Sequence, residues 1–237
     1  MKNLIKNKKG QFVIIAMLMI AIMIISVGAI MHRAVTYYKH EPWEEYLTLM
    51  GNIELNSQRL VELSLVNYTQ TEANNTYVLG DNLQKWQKNL TRIYLGYGAS
   101  LNYTLANGTN YNYSFGLARN WNKAASFSAA RVNFTLNIAS IGLTGYEFMA
   151  TAFLNLTILS IASNEVNVTV KGEDGVLVTN LEKDNFEVSG FTISGVTSHY
   201  DREEGLVYTI ECGSAVSTPV TVKVWDERGI QVTATGP

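Results

Sequence analysis

The chain is poor in the residues that usually staple an extracellular domain or do its chemistry. One cysteine, Cys212, stands among 237 residues. That excludes an intramolecular disulfide framework, and its place deep in the chain excludes an N-terminal lipoprotein cysteine. Charged residues make up only 16%, with 18 basic against 20 acidic, so no field draws a nucleic-acid partner and none is expected. The three histidines, His32, His40 and His199, show no metal-ligand spacing such as H-x3-H or HExxH. Asp201, Glu203 and Glu204 lack the EF-hand pattern and read as a solvated turn. Cys212 sits beside Gly213-Ser214 with no nearby histidine to activate it. No phosphate-binding glycine loop appears. Neither a cofactor, nor a metal, nor an enzymatic activity is expected.

What the sequence does hold is concentrated at its start. From Phe12 to Met31 no side chain is charged, a run of about 20 residues that spans a ~30 Å hydrocarbon layer as a helix. Its Leu, Ile, Val and Phe residues sum to roughly −3 to −7 kcal/mol on an insertion scale. Lys2, Lys6, Lys8 and Lys9 precede the run, against Arg33 and Lys39 after it, so the amino terminus is expected in the cytoplasm and the bulk outside. A removable secretory signal would have a shorter apolar core with a small-x-small site behind it. Here the nearest such site, Val27-Gly28-Ala29, lies inside the run. A buried soluble helix fits poorly, because the run is apolar all round and flanked by lysines.

At Lys8-Lys9-Gly10-Gln11 the sequence resembles an archaeal class III signal peptide of the prepilin type. That resemblance implies a basic leader, residues 1–10, cut by a prepilin peptidase between Gly10 and Gln11, with the apolar helix kept. One departure is visible: where many type IV pilins carry glutamate at the fifth mature position, this chain has Ile15. The resemblance implies a structural subunit of an archaeal type IV pilus-like surface filament serving adhesion. Its partners would be the peptidase, the membrane, other copies of itself and possible surface ligands, with the mature protein in an extracellular filament. The alternatives are a single-pass, outward-facing binding or sensing protein and a minor pilin.

The fold class is expected to be α+β: a long N-terminal helix, then an extracellular β-rich region. Residues 11–40 form the apolar helix. Pro42 is expected to break or kink it, before an amphipathic extension over 41–66 with Trp43, Leu47, Met50, Ile53, Leu60 and Leu63 at helical spacing. Residues 67–163 read as a helix plus antiparallel sheet. "GDNLQKWQKNLTRI" places Leu83, Trp86, Leu90 and Ile93 on one face. Leu101/Tyr103/Leu105 and Tyr111/Tyr113/Phe115 flank an Asn107-Gly108 hairpin signal. The Tyr-rich stretch is expected to pack into a core or a neighbouring subunit in preference to forming a carbohydrate-binding surface. Val132, Phe134, Leu136 and Ile138 then alternate with polar residues, and a second long strand covers 146–161.

That polar face carries nine N-x-[ST] sequons, at Asn67, Asn74, Asn89, Asn102, Asn107, Asn112, Asn133, Asn155 and Asn167. Apolar-polar alternation manufactures part of this excess, yet it also leaves each Asn reachable by a glycosyltransferase, so N-glycosylation is expected at several. Residues 164–237 show short strands with turns every 8–12 residues. The succession "GVLVTNLEKDNFEV", "VTSHYDREEGLVYTIE" and "VTVKVWDERGI" resembles immunoglobulin-like modules of prokaryotic surface and invasin-type proteins, which implies a small β-sandwich.

Overall fold

The computed structural model describes residues 8–71, 75–108 and 110–236; within the first helix the side chains of residues 8–12 and 34–42 lie outside the description. The architecture is α+β, a long apolar N-terminal helix followed by antiparallel sheets. Two compact units divide the chain at Ile53/Glu54.

Helix α1 (Lys8–Gln70) is a single element of 63 residues. It runs through Pro42, so the expected interruption there does not occur. Proline removes one main-chain donor and crowds one carbonyl, and the helix hydrogen bonds on either side carry the element across. Its last turns also bury a different stripe from the one the apolar spacing suggested. Val61, Leu65 and Tyr68 are buried together with Ser57 and Ser64, whereas Leu63 stays exposed. Small serines on this stripe let a second helix approach closely, and that helix satisfies them. In α2 (Val78–Ile93), Trp86 donates from Nε1 to Ser57 Oγ at 3.1 Å, and Asn82 donates to Ser64 Oγ at 3.0 Å. Leu79, Leu83 and Leu90 form the buried face of α2, while Ile93 is exposed.

Ten strands follow among the described residues. Seven form one antiparallel sheet: β1 (Ala99–Leu105), β2 (Leu117–Asn120), β3 (Ala125–Ile138), β4 (Leu143–Ala162), β5 (Glu165–Lys171), β7 (Ile193–Asp201) and β8 (Gly205–Cys212), in the order β1-β3-β4-β5-β8-β7. β2 pairs with β3 beyond the end of β1. The remaining three, β6 (Phe186–Val188), β9 (Val220–Trp225) and β10 (Gln231–Gly236), make a small second sheet. Because β4 pairs with β5 from Asn155↔Lys171 to Ala162↔Glu165, the strands before and after residue 164 belong to one sheet.

The expected alternation is present. Val132, Phe134, Leu136 and Ile138 are all buried, with Asn133 exposed between them. Their face and that of Val166, Val168, Val170, Tyr208 and Ile210 carry the core. The small sheet closes it, with Phe186 against Tyr208 at 5.6 Å between ring centroids. At Gly236 a Cβ would stand 3.1 Å from Ile161 Cδ1 and 3.3 Å from Ile158 Cγ2, so β10 packs close against β4 there and a larger residue would push these side chains aside.

The Asn107-Gly108 segment is not a two-stranded hairpin. β1 pairs with β3 along its whole length, Ala99↔Ile138 to Leu105↔Val132. The Tyr-rich stretch instead folds as a tight loop closed by a single Gly108↔Tyr113 bridge, with Asn107 Oδ1 accepting from Phe115 N–H at 2.9 Å. Long β3, whose inner face is apolar from Ala130 to Ile138, outcompetes a local partner of only a few residues.

Candidate functional site

Three features are candidates: the apolar helix, the sequon-bearing sheet face, and a cleft on that same face.

The apolar segment, Val13–Arg33, has a mean hydropathy of 3.0 and none of its window is buried. It is long and apolar enough to cross a membrane. Val13, Ile14, Ile15, Met19 and Met23 point to all sides of the helix and every one is at least half exposed. Its single hydroxyl, that of Ser26, is satisfied within the helix by donating to the Ile22 carbonyl at 2.8 Å. From Val13 to Met31 no polar side chain therefore has to meet a solvent. Lys8, Lys9, Gly10 and Gln11 stand in the first turn of α1, with side chains outside the described residues.

The sequons fall into distinct environments. Asn102 and Asn133 are exposed, extended, and on the solvent face of neighbouring strands. Their sequons run antiparallel in register, with Asn102 opposite Thr135 and Thr104 opposite Asn133. The two asparagines are diagonal neighbours, roughly 7–8 Å apart between Cα atoms. Asn112 is exposed in the Tyr-rich loop with φ +53°, and Asn107 is exposed at its start. Asn67 and Asn89 are exposed on helices, where positions i and i+2 diverge. Their threonine hydroxyls donate to helix carbonyls, Thr69 to Val66 and Thr91 to Gln87, each at 3.1 Å. Asn155 and Asn167 are half-buried on interior strands, held at both ends of the amide. Asn155 donates to Ser126 O at 3.1 Å and accepts from Thr157 Oγ1 at 3.1 Å. Asn167 donates to Ser160 Oγ at 3.0 Å and accepts from Thr209 Oγ1 at 2.7 Å, while Thr169, its sequon hydroxyl, is buried. Asn74 lies outside the described residues.

The cleft has a volume of ≈ 390 Å³ on one flank of the ion cluster at Arg228 and ≈ 330 Å³ on the other, where it opens onto the Tyr-rich loop. Sequence reasoning missed this cluster, in which Glu173 and Glu62 stand 55 and 166 positions from Arg228. Arg228 Nη1 contacts Glu173 Oε1 at 2.6 Å and Glu62 Oε1 at 3.7 Å, and Arg228 Nε contacts Asp226 Oδ2 at 2.8 Å. "DERG" reads as a hairpin turn, which it is, and nothing local announces the partners. Beside the second cavity, Tyr111 packs on Phe127 at 4.9 Å and on Phe153 at 5.3 Å between centroids. Behind it Tyr113, Ala118 and Ala129 form a small buried cluster. Burial pushes the Tyr113 phenol up, and the nearby positive charge of Arg131 pulls the other way.

Elsewhere the candidates carry no reactive geometry. Cys212 is buried at the end of β8 and burial raises its thiol. Asp201 Oδ1 accepts from the Glu203 and Glu204 N–H groups at 2.8 and 3.0 Å, closing the β7–β8 turn. Among the described residues no group of three His, Cys, Asp or Glu side chains is placed to hold a metal ion.

Comparison with protein-family models, with curated proteins and with solved structures finds no match to this chain. What stands is the layout: an N-terminal apolar helix leading into a β-rich region, which fits a pilin-like protein.

Proposed function

We propose that this protein is a structural, non-catalytic subunit of an archaeal type IV pilus-like surface filament. It would assemble through its apolar helix after removal of residues 1–10, and display an N-glycosylated sheet face outward. The observation that carries the reading is the segment Val13–Arg33, apolar on every side and uncovered throughout, directly behind Lys8-Lys9-Gly10-Gln11. A helix with no polar stripe contacts lipid and neighbouring helices equally well, so packing between copies decides association once the leader is gone. Contacts between non-equivalent faces of such helices do not close and propagate as a fibre. Glycine at the cut leaves the peptide bond unobstructed, and the lysines hold it at the cytoplasmic membrane face. Where many type IV pilins carry glutamate at the fifth mature position this chain has Ile15, so association here rests on apolar packing.

Mass spectrometry of the protein purified from its native host tests the reading. The expected amino-terminal residue is Gln11, in material that sediments with filaments. A mature chain that begins at Met1 and stays in the membrane fraction would instead establish the anchored binding or sensing protein.

A further inference from the structure

On the outer face of the large sheet, the Tyr-rich loop and the Glu173–Gly175 turn stand on opposite sides of a cavity of ≈ 330 Å³. Pockets that hold small ligands start at about this size. One wall is aromatic. Tyr111 is 42% exposed and is backed by Phe127 and Phe153, so the ring is both accessible and held in place. The other wall is acidic at Asp174, held on the rim by successive left-handed residues, Asp174 at φ +52° and Gly175 at φ +75°. That turn is itself anchored: Glu173 Oε1 accepts from Phe153 N–H at 2.8 Å and from Arg228 at 2.6 Å. Phe153 thus braces both walls, through its ring on one side and its peptide N–H on the other. Arg131 and Met149 line the cavity from β3 and β4. Neither the Arg131 guanidinium nor the Asp174 carboxylate makes a hydrogen bond or ion pair with a described residue.

We propose that this cleft binds a saccharide ring, stacked on Tyr111 and hydrogen-bonded between Asp174 and Arg131. Each element selects for that chemistry. A flat aromatic face takes the C–H side of a pyranose. A carboxylate supplies acceptors only and a guanidinium donors only, and adjacent hydroxyls answer both at once. On the lining Arg131 offsets Asp174, and Glu173 is paired with Arg228, so no one sign of charge dominates, which favours a neutral polyol over a phosphate or a carboxylate. The braced walls lower the ordering cost of binding. The inference does not depend on filament assembly.

The test uses the full chain, made in a non-glycosylating host so that no attached sugar fills the cleft. It is kept in a poly(oxyethylene) detergent, because glycosidic detergents would compete. Saturation-transfer NMR and calorimetry are run with mannose, galactose, glucose and N-acetylglucosamine, with glycine betaine as the zwitterionic control. At least one sugar is expected to bind at roughly millimolar affinity with little salt dependence. Tyr111→Ala and Asp174→Asn should each weaken it about tenfold or more, while Tyr111→Phe, which keeps the ring, should bind nearly as well. Asp174 is on the rim, so its variant tests the site even if Tyr111→Ala perturbs the loop. Binding of none of the four sugars, binding of betaine alone, or sugar binding unmoved by both Tyr111→Ala and Asp174→Asn would each overturn the proposal.

Discussion

Glu173 and Phe153 meet on the side of β4 away from β3, where no strand flanks it: the Phe153 N–H donates to Glu173 Oε1 at 2.8 Å, and Arg228 Nη2 donates to the Phe153 carbonyl at 3.2 Å. β4 acquires its neighbour β5 only from Asn155 onward. Two positions earlier, Gln58 does the same for Thr151, donating to its carbonyl at 2.8 Å and accepting from its N–H at 3.2 Å. Side chains from the helix, the 173 turn and the last hairpin therefore continue the ladder where strands stop. An unsatisfied main-chain group at such a position costs about 1–3 kcal/mol, so the cluster stabilises chiefly by preventing that loss.

Arg228→Met should accordingly destabilise the β-rich unit by about 2–4 kcal/mol, since it strands a carboxylate and a peptide oxygen together. The Asp226 side chain is only 3% exposed and loses the guanidinium at Oδ2, keeping only main-chain N–H groups at Oδ1. Lys223→Met removes an ion pair whose Glu187 partner is 53% exposed, and should cost about 0–1 kcal/mol. Urea denaturation of both variants in detergent makes the comparison. Equal losses would show that Arg228 does no more than an ordinary surface charge.

Sugar attachment should follow the sequon environments described above. Transfer from a lipid-linked glycosyl phosphate joins the Asn Nδ2 to the anomeric carbon, releases the lipid phosphate and sheds one amide proton. The enzyme must reach both the amide and the sequon hydroxyl. Asn102, Asn112 and Asn133 meet that requirement, so glycopeptide mapping of native material should find sugar there and little at Asn67, Asn89, Asn155 and Asn167. Occupancy at Asn155 or Asn167 equal to that at Asn133 would sink this assignment.

The same two interior asparagines should matter for stability when the exposed ones do not. Asn167→Ala leaves Ser160 and Thr209 without their shared partner, and should cost about 1–2 kcal/mol. Asn133→Ala in unglycosylated protein should stay within about 0.5 kcal/mol of the parent. Thermal unfolding followed by circular dichroism reads the difference.

At the β7–β8 turn the pH response has a definite sign. Hydrogen bonds from the N–H groups of Glu204 and Glu203, with a smaller contribution from the charge of His199, hold the Asp201 carboxyl below the usual carboxylate range. A depressed folded value means the turn is reinforced above the unfolded value of about 3.9 and loses that reinforcement as pH falls through the lower folded value. NMR titration should show the Glu203 and Glu204 amides moving together, with a midpoint below that of a free aspartate. A midpoint at or above the ordinary value would refute it.

Local patterns carried much of this fold in readable form. The apolar run of α1, the 3.6-residue period of α2 and the alternation of Val132 through Ile138 each depend on neighbours a few positions away, and each element is present. Pro42 misled because a proline's local cost says nothing about the length of helix on either side of it. Asn107-Gly108 misled because a hairpin signal competes with every other strand for pairing, and β3 offered Leu105 an apolar neighbour in Val132. The serines at 57 and 64 look solvent-facing until α2 supplies Trp86 and Asn82. The Arg228 cluster joins residues from four separate segments, and no window along the chain contains them together.

The end of α1 has a bearing on when this domain can exist at all. Gln70 donates to the Gly229 carbonyl at 2.9 Å, and Thr69 Oγ1 accepts from Gln231 N–H at 3.3 Å. The helix therefore finds its fastening roughly 160 positions downstream, in the final hairpin. A ribosome emitting the chain delivers the helix long before its fastening, and closing so long a loop is slow. Until Gln231 has emerged, the buried stripe of Val61 and Leu65 waits without the strands that complete its surroundings. The order in which segments emerge thus sets when the end of α1 can be fastened, and the hairpin around Gly229 does the timing.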